Sequence, residues 1–261
     1  GNLVVIYDSN QISIEDDTNI AFTEDLTARY NAYGWHTQTV DWKKTGNYVE
    51  DVRELYEAIE KAKAVTDKPS LITLRTIIGW PSPSKQNTGK IHGSKLGGEE
   101  LAGLKQALGF DPEKSFEVSE EVISQTRSLF TRSAVARSDW EQKFSGWKSQ
   151  NPKQAALLER LLAGELPADL EAALPVFEAG TEIATRAASG KVINAIAKVM
   201  PELWGGSADL APSNKTFING AGVISADDFS GKNFHFGIRE HAMGAIMNGM
   251  ALYEGGFIPY G

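Results

Sequence analysis

The sequence predicts an α/β protein made of parallel-sheet units, and three observations predict it. Apolar, β-rich runs alternate with amphipathic helical stretches toward both ends of the chain, an order that builds parallel strands through right-handed crossovers. Between them, from about residue 119 to about 165, strand signals vanish and charged helical periodicity takes over, so the sheets are expected to be joined by a helical connector. The 261 residues are 41% hydrophobic and 23% charged, a core-forming composition.

Leu3-Val4-Val5-Ile6-Tyr7 is a continuous apolar run that reads as a buried parallel strand. Thr23-Glu24-Asp25 opens a helix with a cap and an acidic first turn; Leu26, Tyr30 and Tyr33 lie on its inner face and Gly34 ends it. Trp35 to Val40 reads as a strand. Val52, Leu55, Ile59 and Ala62 mark an amphipathic helix, and Leu71 to Ile78 a strand buried on both faces. Residues 80–98 form a long Gly/Pro/Ser/Lys loop, of a length that is usually functional or mobile. A helix over 99–108 follows, with Leu101, Leu104 and Leu108 expected inward. In the connector, Trp140, Phe144 and Trp147 share a face, Asn151-Pro152 opens a further helix and Gly164 to Pro167 ends it. From about 181 the α/β pattern resumes: a helix carrying Ile183, Ala184, Ala187, Ile193, Ile196 and Val199, a short strand at Leu203-Trp204, another over Phe234 to Gly237, a helix from about Arg239 to Tyr253 and a strand over Phe257–Tyr260. The boundaries are 1–118, 119–180 and 181–261. The chain opens Gly1-Asn2 directly into a core-like strand and stops just after another, whereas domains usually begin and end in exposed polar segments. Both ends are therefore expected to be cuts from a longer polypeptide.

Several function classes drop out. There is no cysteine, hence no disulfide framework, thiolate metal site or Cys nucleophile. Net charge is −8, from 34 acidic and 26 basic side chains, which repels a phosphate backbone, so no nucleic-acid partner is expected. No apolar run approaches the roughly 20 residues of a membrane helix, so no membrane role is expected. The four histidines, 36, 92, 235 and 241, form no HxxxH pair of the kind that binds zinc.

Four segments carry candidate chemistry. Tyr7-Asp8-Ser9-Asn10-Gln11-Ile12-Ser13-Ile14 leaves the carboxyl end of the opening strand, where parallel sheets bind ligands. An extended turn there would aim the Asn10 side-chain carbonyl and the Ile12 backbone carbonyl the same way, as a hard cation such as Mg²⁺ requires; an ordinary Asx turn explains Asp-Ser-Asn equally well. Gly79 to Gly98 offers glycines for close approach to an anion, with Lys85, Lys90, His92 and Lys95 as positive or proton-donating groups; a surface loop is the alternative. Gly205-Gly206-Ser207-Ala208-Asp209-Leu210-Ala211-Pro212-Ser213-Asn214 makes a tight turn with Asp209 and Ser213 as candidate ligands, or a simple connection. In Phe236-Gly237-Ile238-Arg239-Glu240-His241-Ala242-Met243-Gly244-Ala245, Glu240 starts a helix otherwise so apolar that burial is expected, and burial favours a carboxyl that shares a proton. An ordinary helix-dipole acid is the alternative.

Taken in order, YDSNQISI, AYGW, TIIGWPSPSKQNTGKIHGSKLG, IATRAAS, GGSADLAPSN and FGIREHAMGAIMNGM resemble the transketolases. The resemblance implies two thiamine-diphosphate-binding-type parallel-sheet layers, a diphosphate-binding part at 1–118 and a pyrimidine-binding part at 181–261, both incomplete. It implies transfer of a two-carbon ketol unit from a ketose phosphate to an aldose phosphate in the pentose phosphate pathway. The cofactors implied are thiamine diphosphate and Mg²⁺, with Ca²⁺ or Mn²⁺ as substitutes. Asn10 and the Ile12 carbonyl match metal ligands, and Asn10 also approaches the diphosphate. His92 matches a histidine that touches diphosphate and donor substrate. Arg186 and Ser213 match positions that hold the sugar phosphate, for which a guanidinium fork is suited. Asp209 matches an acid near the cofactor at the subunit contact, and Glu240 the glutamate on the aminopyrimidine. The resemblance further implies a cytoplasmic homodimer with its site between subunits. The family's Gly-Asp-Gly segment, whose Asp completes the metal site, and its aromatic cluster on the aminopyrimidine are not in this sequence, so the piece alone is expected to be inactive. A dihydroxyacetone synthase-like enzyme, or a non-catalytic module of the same fold, is the competing reading.

Overall fold

A computed structural model describes residues 2–261; Gly1, read as part of the abrupt start, lies outside them. The chain divides into two compact units after Ile123.

The first unit is built on a parallel three-stranded sheet. It contains β1 (Val4–Asp8), the two-residue strands β2 (Ile12–Ser13) and β3 (Asp16–Asp17), α1 (Leu26–Ala32), β4 (His36–Asp41), α2 (Val52–Ala64), β5 (Ser70–Arg75) and α3 (Gly98–Ala107). The sheet order is β1-β5-β4, and β2 and β3 pair antiparallel as a small hairpin. Asp25 caps α1 by accepting the Ala28 N–H at 2.9 Å, and Asp51 caps α2 by accepting the Glu54 N–H at 2.9 Å. Because side chains alternate along a strand, β5 presents two faces. Ile72 and Leu74 pack with Val40 against Ala58 and Ala62 of α2, joined by Val4, Trp42, Leu55 and Ile59. On the other face, Thr73 meets Thr27 of α1, hydroxyl to hydroxyl at 3.1 Å. The two helices thus cover opposite faces of one sheet.

The second unit holds most of α4 (Glu120–Gln150), then α5 (Pro152–Leu162), α6 (Leu170–Ala173), α7 (Thr185–Ile196), β6 (Leu203–Ser207), α8 (Ala211–Asn214), β7 (Asn233–His235), α9 (Glu240–Leu252) and β8 (Ile258–Tyr260). Its sheet is parallel, in the order β7-β6-β8. A Cβ on Gly206 would lie 1.9 Å from the Phe234 carbonyl oxygen, so the β6–β7 approach requires glycine there. Asn233, 1% exposed, fastens the preceding loop: its Nδ2 donates to the Ile218 and Gly222 carbonyls at 2.9 and 2.8 Å, and its Oδ1 accepts the Ile218 N–H at 2.8 Å. On α4, Trp140, Phe144 and Trp147 stack with ring centroids 4.8 and 5.7 Å apart.

Sequence and structure differ at several places. The opening strand is parallel but not buried, because it is the sheet edge; Leu3 and Ile6 are exposed. The strand expected to reach Ile78 ends at Arg75, where the chain turns into the loop. Only the middle leucine of α3 is covered, and Leu101 and Leu108 face solvent. The glycine pair extends β6 to Ser207 instead of stopping it at Trp204. Helix α9 has no buried residue at all. It packs on the short edge strand β8, which covers one side only, and Ile246 and Leu252 remain exposed.

One buried ion pair crosses the second unit. Arg160 of α5 grips Glu202, just before β6, through two bonds of 2.7 and 3.0 Å, and the Glu202 side chain is 3% exposed. Burial pushes that carboxyl upward, but the Arg160 guanidinium, a backbone N–H and the Lys232 charge together outweigh it and hold the carboxyl below its usual range. Removing one partner of such a pair strands the other charge, at a cost of about 3–5 kcal/mol. Glu202→Ala should therefore lower stability against urea by about 3 kcal/mol or more, read as a shift of the denaturation midpoint at unchanged slope. A surface pair such as Arg53–Glu57 should show a loss of less than about 1 kcal/mol in the same experiment.

Candidate functional site

In the first unit, the candidate residues gather at the carboxyl edge of the sheet. Ser9, buried, donates its N–H to the Leu74 carbonyl at 2.8 Å, while its own carbonyl accepts from the Arg75 guanidinium. The Thr76 hydroxyl donates to Asp8. These bonds tie the end of β1 to the end of β5 and fix where the Asn10 turn begins. Asn10 is half-buried, and its Oδ1 accepts the Ile12 N–H at 2.9 Å. Gln11 sits at φ 65°, so of the two readings the segment takes the Asx turn rather than the extended turn. The amide oxygen bridges back to the chain because a left-handed residue folds the turn over. That oxygen has a second lone pair, so Asn10 can still face a cation.

The loop over 80–98 is more ordered than its composition suggests. Glu100, in the first turn of α3, collects the Ser82 hydroxyl, the Ser84 N–H at 2.8 Å, the Ser84 hydroxyl at 2.7 Å and the Lys85 N–H at 3.2 Å. Lys85, expected to face an anion, instead donates its ammonium to the Lys95 and Leu96 carbonyls at 3.1 and 2.6 Å. Those carbonyls lie just before α3, so the charge closes the loop on itself. A 3₁₀ turn over Gly89–Ile91 delivers His92, whose N–H donates to the Gly89 carbonyl at 3.1 Å. The His92 side chain is exposed and makes no hydrogen bond among the described residues. In the same loop the buried Oε1 of Gln86 accepts none either, and no motif or spacing points to it.

In the second unit, Ser207 Oγ accepts the Leu210 N–H at 3.1 Å and closes the turn after β6. Asp209 projects from that turn at φ 64°, exposed. Arg186, at the start of α7, reaches Ser213 of α8, guanidinium to hydroxyl at 3.4 Å. The two residues expected to share one phosphate are therefore neighbours, 27 positions apart in sequence. Beside them, Ala187, Gly190, Lys191, Pro212, Lys215 and Phe217 contribute to the lining of a hollow of about 610 Å³. Glu240 opens α9 directly after Arg239, whose guanidinium donates to the Phe236 carbonyl at 3.1 Å. Glu240 and His241 were expected against buried apolar surface; both are exposed. The Glu240 carboxylate has no hydrogen bond or ion pair among the described residues.

The donor set suits a hard cation with a phosphate partner. Asn10 Oδ1 and the Ile12 carbonyl are neutral oxygens, the type Mg²⁺ accepts, and two are fewer than its roughly six positions, leaving room for phosphate oxygens, water and further ligands. Among the described residues no three His, Asp or Glu side chains cluster as a metal site of their own. No helix among them is long and apolar enough to cross a membrane.

Comparison with known proteins finds two family models along the chain. Residues 1–167 match the family model described as transketolase, thiamine diphosphate binding domain, and residues 181–261 match transketolase, pyrimidine binding domain. A transketolase of Mycobacterium tuberculosis is 51% identical over 263 residues, covering 97% of this chain and 37% of the relative. A chloroplastic transketolase of Zea mays is 44% identical, covering 100% of this chain and 38% of the relative. A crystal structure of transketolase from Pichia stipitis in complex with sedoheptulose 7-phosphate superposes with a TM-score of 0.88 at 39% identity, over 100% of this chain and 38% of that one. The chain thus spans less than two fifths of the length of the curated relatives it matches.

The Glu100 network makes a pH prediction. The Ser82 hydroxyl first, then the Ser84 N–H and hydroxyl and the Lys85 N–H, hold the Glu100 carboxyl down to about 2. A folded value below the unfolded 4.5 stabilises the loop fully above that value, and the stabilisation is lost as pH falls from there toward 2. Exchange of the Ser84 and Lys85 amides should accelerate across that window beyond the intrinsic rate. In Glu100→Gln the two amides should be less protected at neutral pH and show no such acid step.

Proposed function

Since the chain belongs to the transketolase family, we propose that the whole protein transfers a two-carbon ketol unit from a ketose phosphate to an aldose phosphate, within the pentose phosphate pathway. In this reading residues 1–118 belong to the diphosphate-binding part, 119–180 to the connector and 181–261 to the pyrimidine-binding part. The protein acts as a cytoplasmic homodimer, with the site between one copy's first unit and the other copy's second. Thiamine diphosphate, held through Mg²⁺, supplies a carbon nucleophile and an electron sink when bound.

The chain's own residues divide the remaining work. Asn10 Oδ1 and the Ile12 carbonyl hold the cation. His92, unengaged at its ring, donates to a diphosphate oxygen and steadies the donor sugar. Arg186 and Ser213 clamp the sugar phosphate, the guanidinium supplying charge and direction and the hydroxyl a second donor. Asp209 stands beside the cofactor where the copies meet. Glu240 shares a proton with the pyrimidine ring. Its exposure in a single copy fits a carboxyl that is covered only when a cofactor and a second copy close over it. The single observation that carries the reading is the Arg186–Ser213 contact, which places a cation and a hydroxyl at one spot from two separate helices.

Two measurements on the relatives-length protein test it. Glu240→Ala should lower thiamine-dependent ketol transfer by about 10²–10⁴-fold, the usual range for losing a positioned proton-transfer group; near-normal turnover would overturn the assignment. Arg186→Ala should raise KM for phosphorylated sugars by about tenfold or more, as loss of a charge-assisted bond of about 1.5–3 kcal/mol requires, and leave an unphosphorylated acceptor unaffected.

A further inference from the structure

Asp16 stands outside every role assigned so far. It lies in β3 at φ 71°, a left-handed conformation unusual for a residue with a Cβ. Its Oδ1 accepts the Gly89 N–H at 2.6 Å, across 73 positions of sequence. Gly89 is the first residue of the 3₁₀ turn, and its carbonyl accepts the His92 N–H at 3.1 Å. One residue, Gly89, therefore gives its N–H to the Asp16 carboxylate and holds the His92 N–H on its carbonyl. The other end of the contact is the β2–β3 hairpin, which begins at Ile12. A Cβ on Gly89 would lie 2.7 Å from the Ile14 oxygen, 2.9 Å from the Ser13 oxygen and 3.1 Å from the Asp16 nitrogen. These are backbone atoms with no rotamer to yield, so the turn sits directly on the hairpin.

We propose that Asp16 is a positioning residue: its carboxylate locks the Gly89 peptide onto the β2–β3 hairpin and so sets the distance between the cation-facing Asn10–Ile12 turn and His92. The inference rests on the reading that those two segments serve one diphosphate. An acceptor at Asp16 is a charged one, which strengthens and shortens a bond to a backbone N–H.

The test uses three variants. Asp16→Ala removes the acceptor, Asp16→Asn keeps an acceptor oxygen, and Asp16→Gly removes the acceptor while relieving the backbone angle. In the 261-residue chain, Asp16→Ala and Asp16→Gly should accelerate amide exchange at Gly89 and His92 by about tenfold or more, and shift the His92 ring resonances; Asp16→Asn should do neither. Unchanged exchange in Asp16→Ala overturns the lock. Asp16→Gly separates positioning from stability, since relief of the angle should not lower the melting temperature while exchange still rises. In the relatives-length protein, affinity for thiamine diphosphate with Mg²⁺ should fall by about tenfold in His92→Ala and in Asp16→Ala, with little further loss in the double variant. Additive losses, or a loss in His92→Ala with none in Asp16→Ala, overturn the positioning role alone. No loss in His92→Ala removes the diphosphate reading itself, and the positioning role with it.

Discussion

A parallel strand can be followed by another only through a crossover, so every strand in such a sheet ends at the same edge. That constraint governs both units. In the first, the edge beyond β1 and β5 is laced together by Ser9 to Leu74, Arg75 to Ser9 and Thr76 to Asp8 before the chain reaches Asn10. In the second, the turn after β6 and the start of α9 leave the sheet from neighbouring strands. If the strands slipped, the residues proposed to hold cation, phosphate and pyrimidine would lose their common ground, whatever their own chemistry.

The loops that join these strands and helices are held by single polar side chains that grip peptide groups. Glu100 gathers four donors from Ser82, Ser84 and Lys85, Asp16 takes the Gly89 N–H, and Asn233 satisfies three backbone groups at once. Charged acceptors make stronger bonds than neutral ones, and a peptide gripped on both sides has little freedom. The segment over 80–98 looks mobile by composition and is nonetheless fastened at Gly89, at Ser82–Lys85 and at the Lys95 and Leu96 carbonyls. By contrast, Arg186, His92, Asp209 and Glu240 are left with weak engagement or none. Asn10, whose Oδ1 also closes its own turn, is the exception among the residues proposed to meet ligand.

Long periodic elements were legible in the amino-acid order. Val52, Leu55, Ile59 and Ala62 announce α2 because a helix repeats its buried face every three to four residues, and the Ser70–Arg75 strand shows as an apolar run because it is central. The two-residue strands β2 and β3 are too short for any period to appear. Glu100 reads locally as a helix-start acid, and nothing near it in sequence tells that its partners lie 15 to 18 residues back. Lys85 shows the same limit, since a cation's partner can be a backbone carbonyl that no residue type reveals. The α9 sequence was misleading for another reason: apolar composition tells that a face can be covered, not by what. The Arg186–Ser213 pairing was legible only through the family resemblance, because their spacing alone does not join them.

In the function proposed above, the Asn10 segment of one copy and the Glu240 segment of the other complete one site. Mixing relatives-length Asn10→Ala protein with relatives-length Glu240→Ala protein, allowing subunits to exchange, and following thiamine-dependent ketol transfer tests it most directly. In a mixed pair one site would combine an intact Asn10 with an intact Glu240, so the account predicts activity that neither variant shows alone. A mixture that exchanges subunits, yet stays as inactive as its two components, would contradict it.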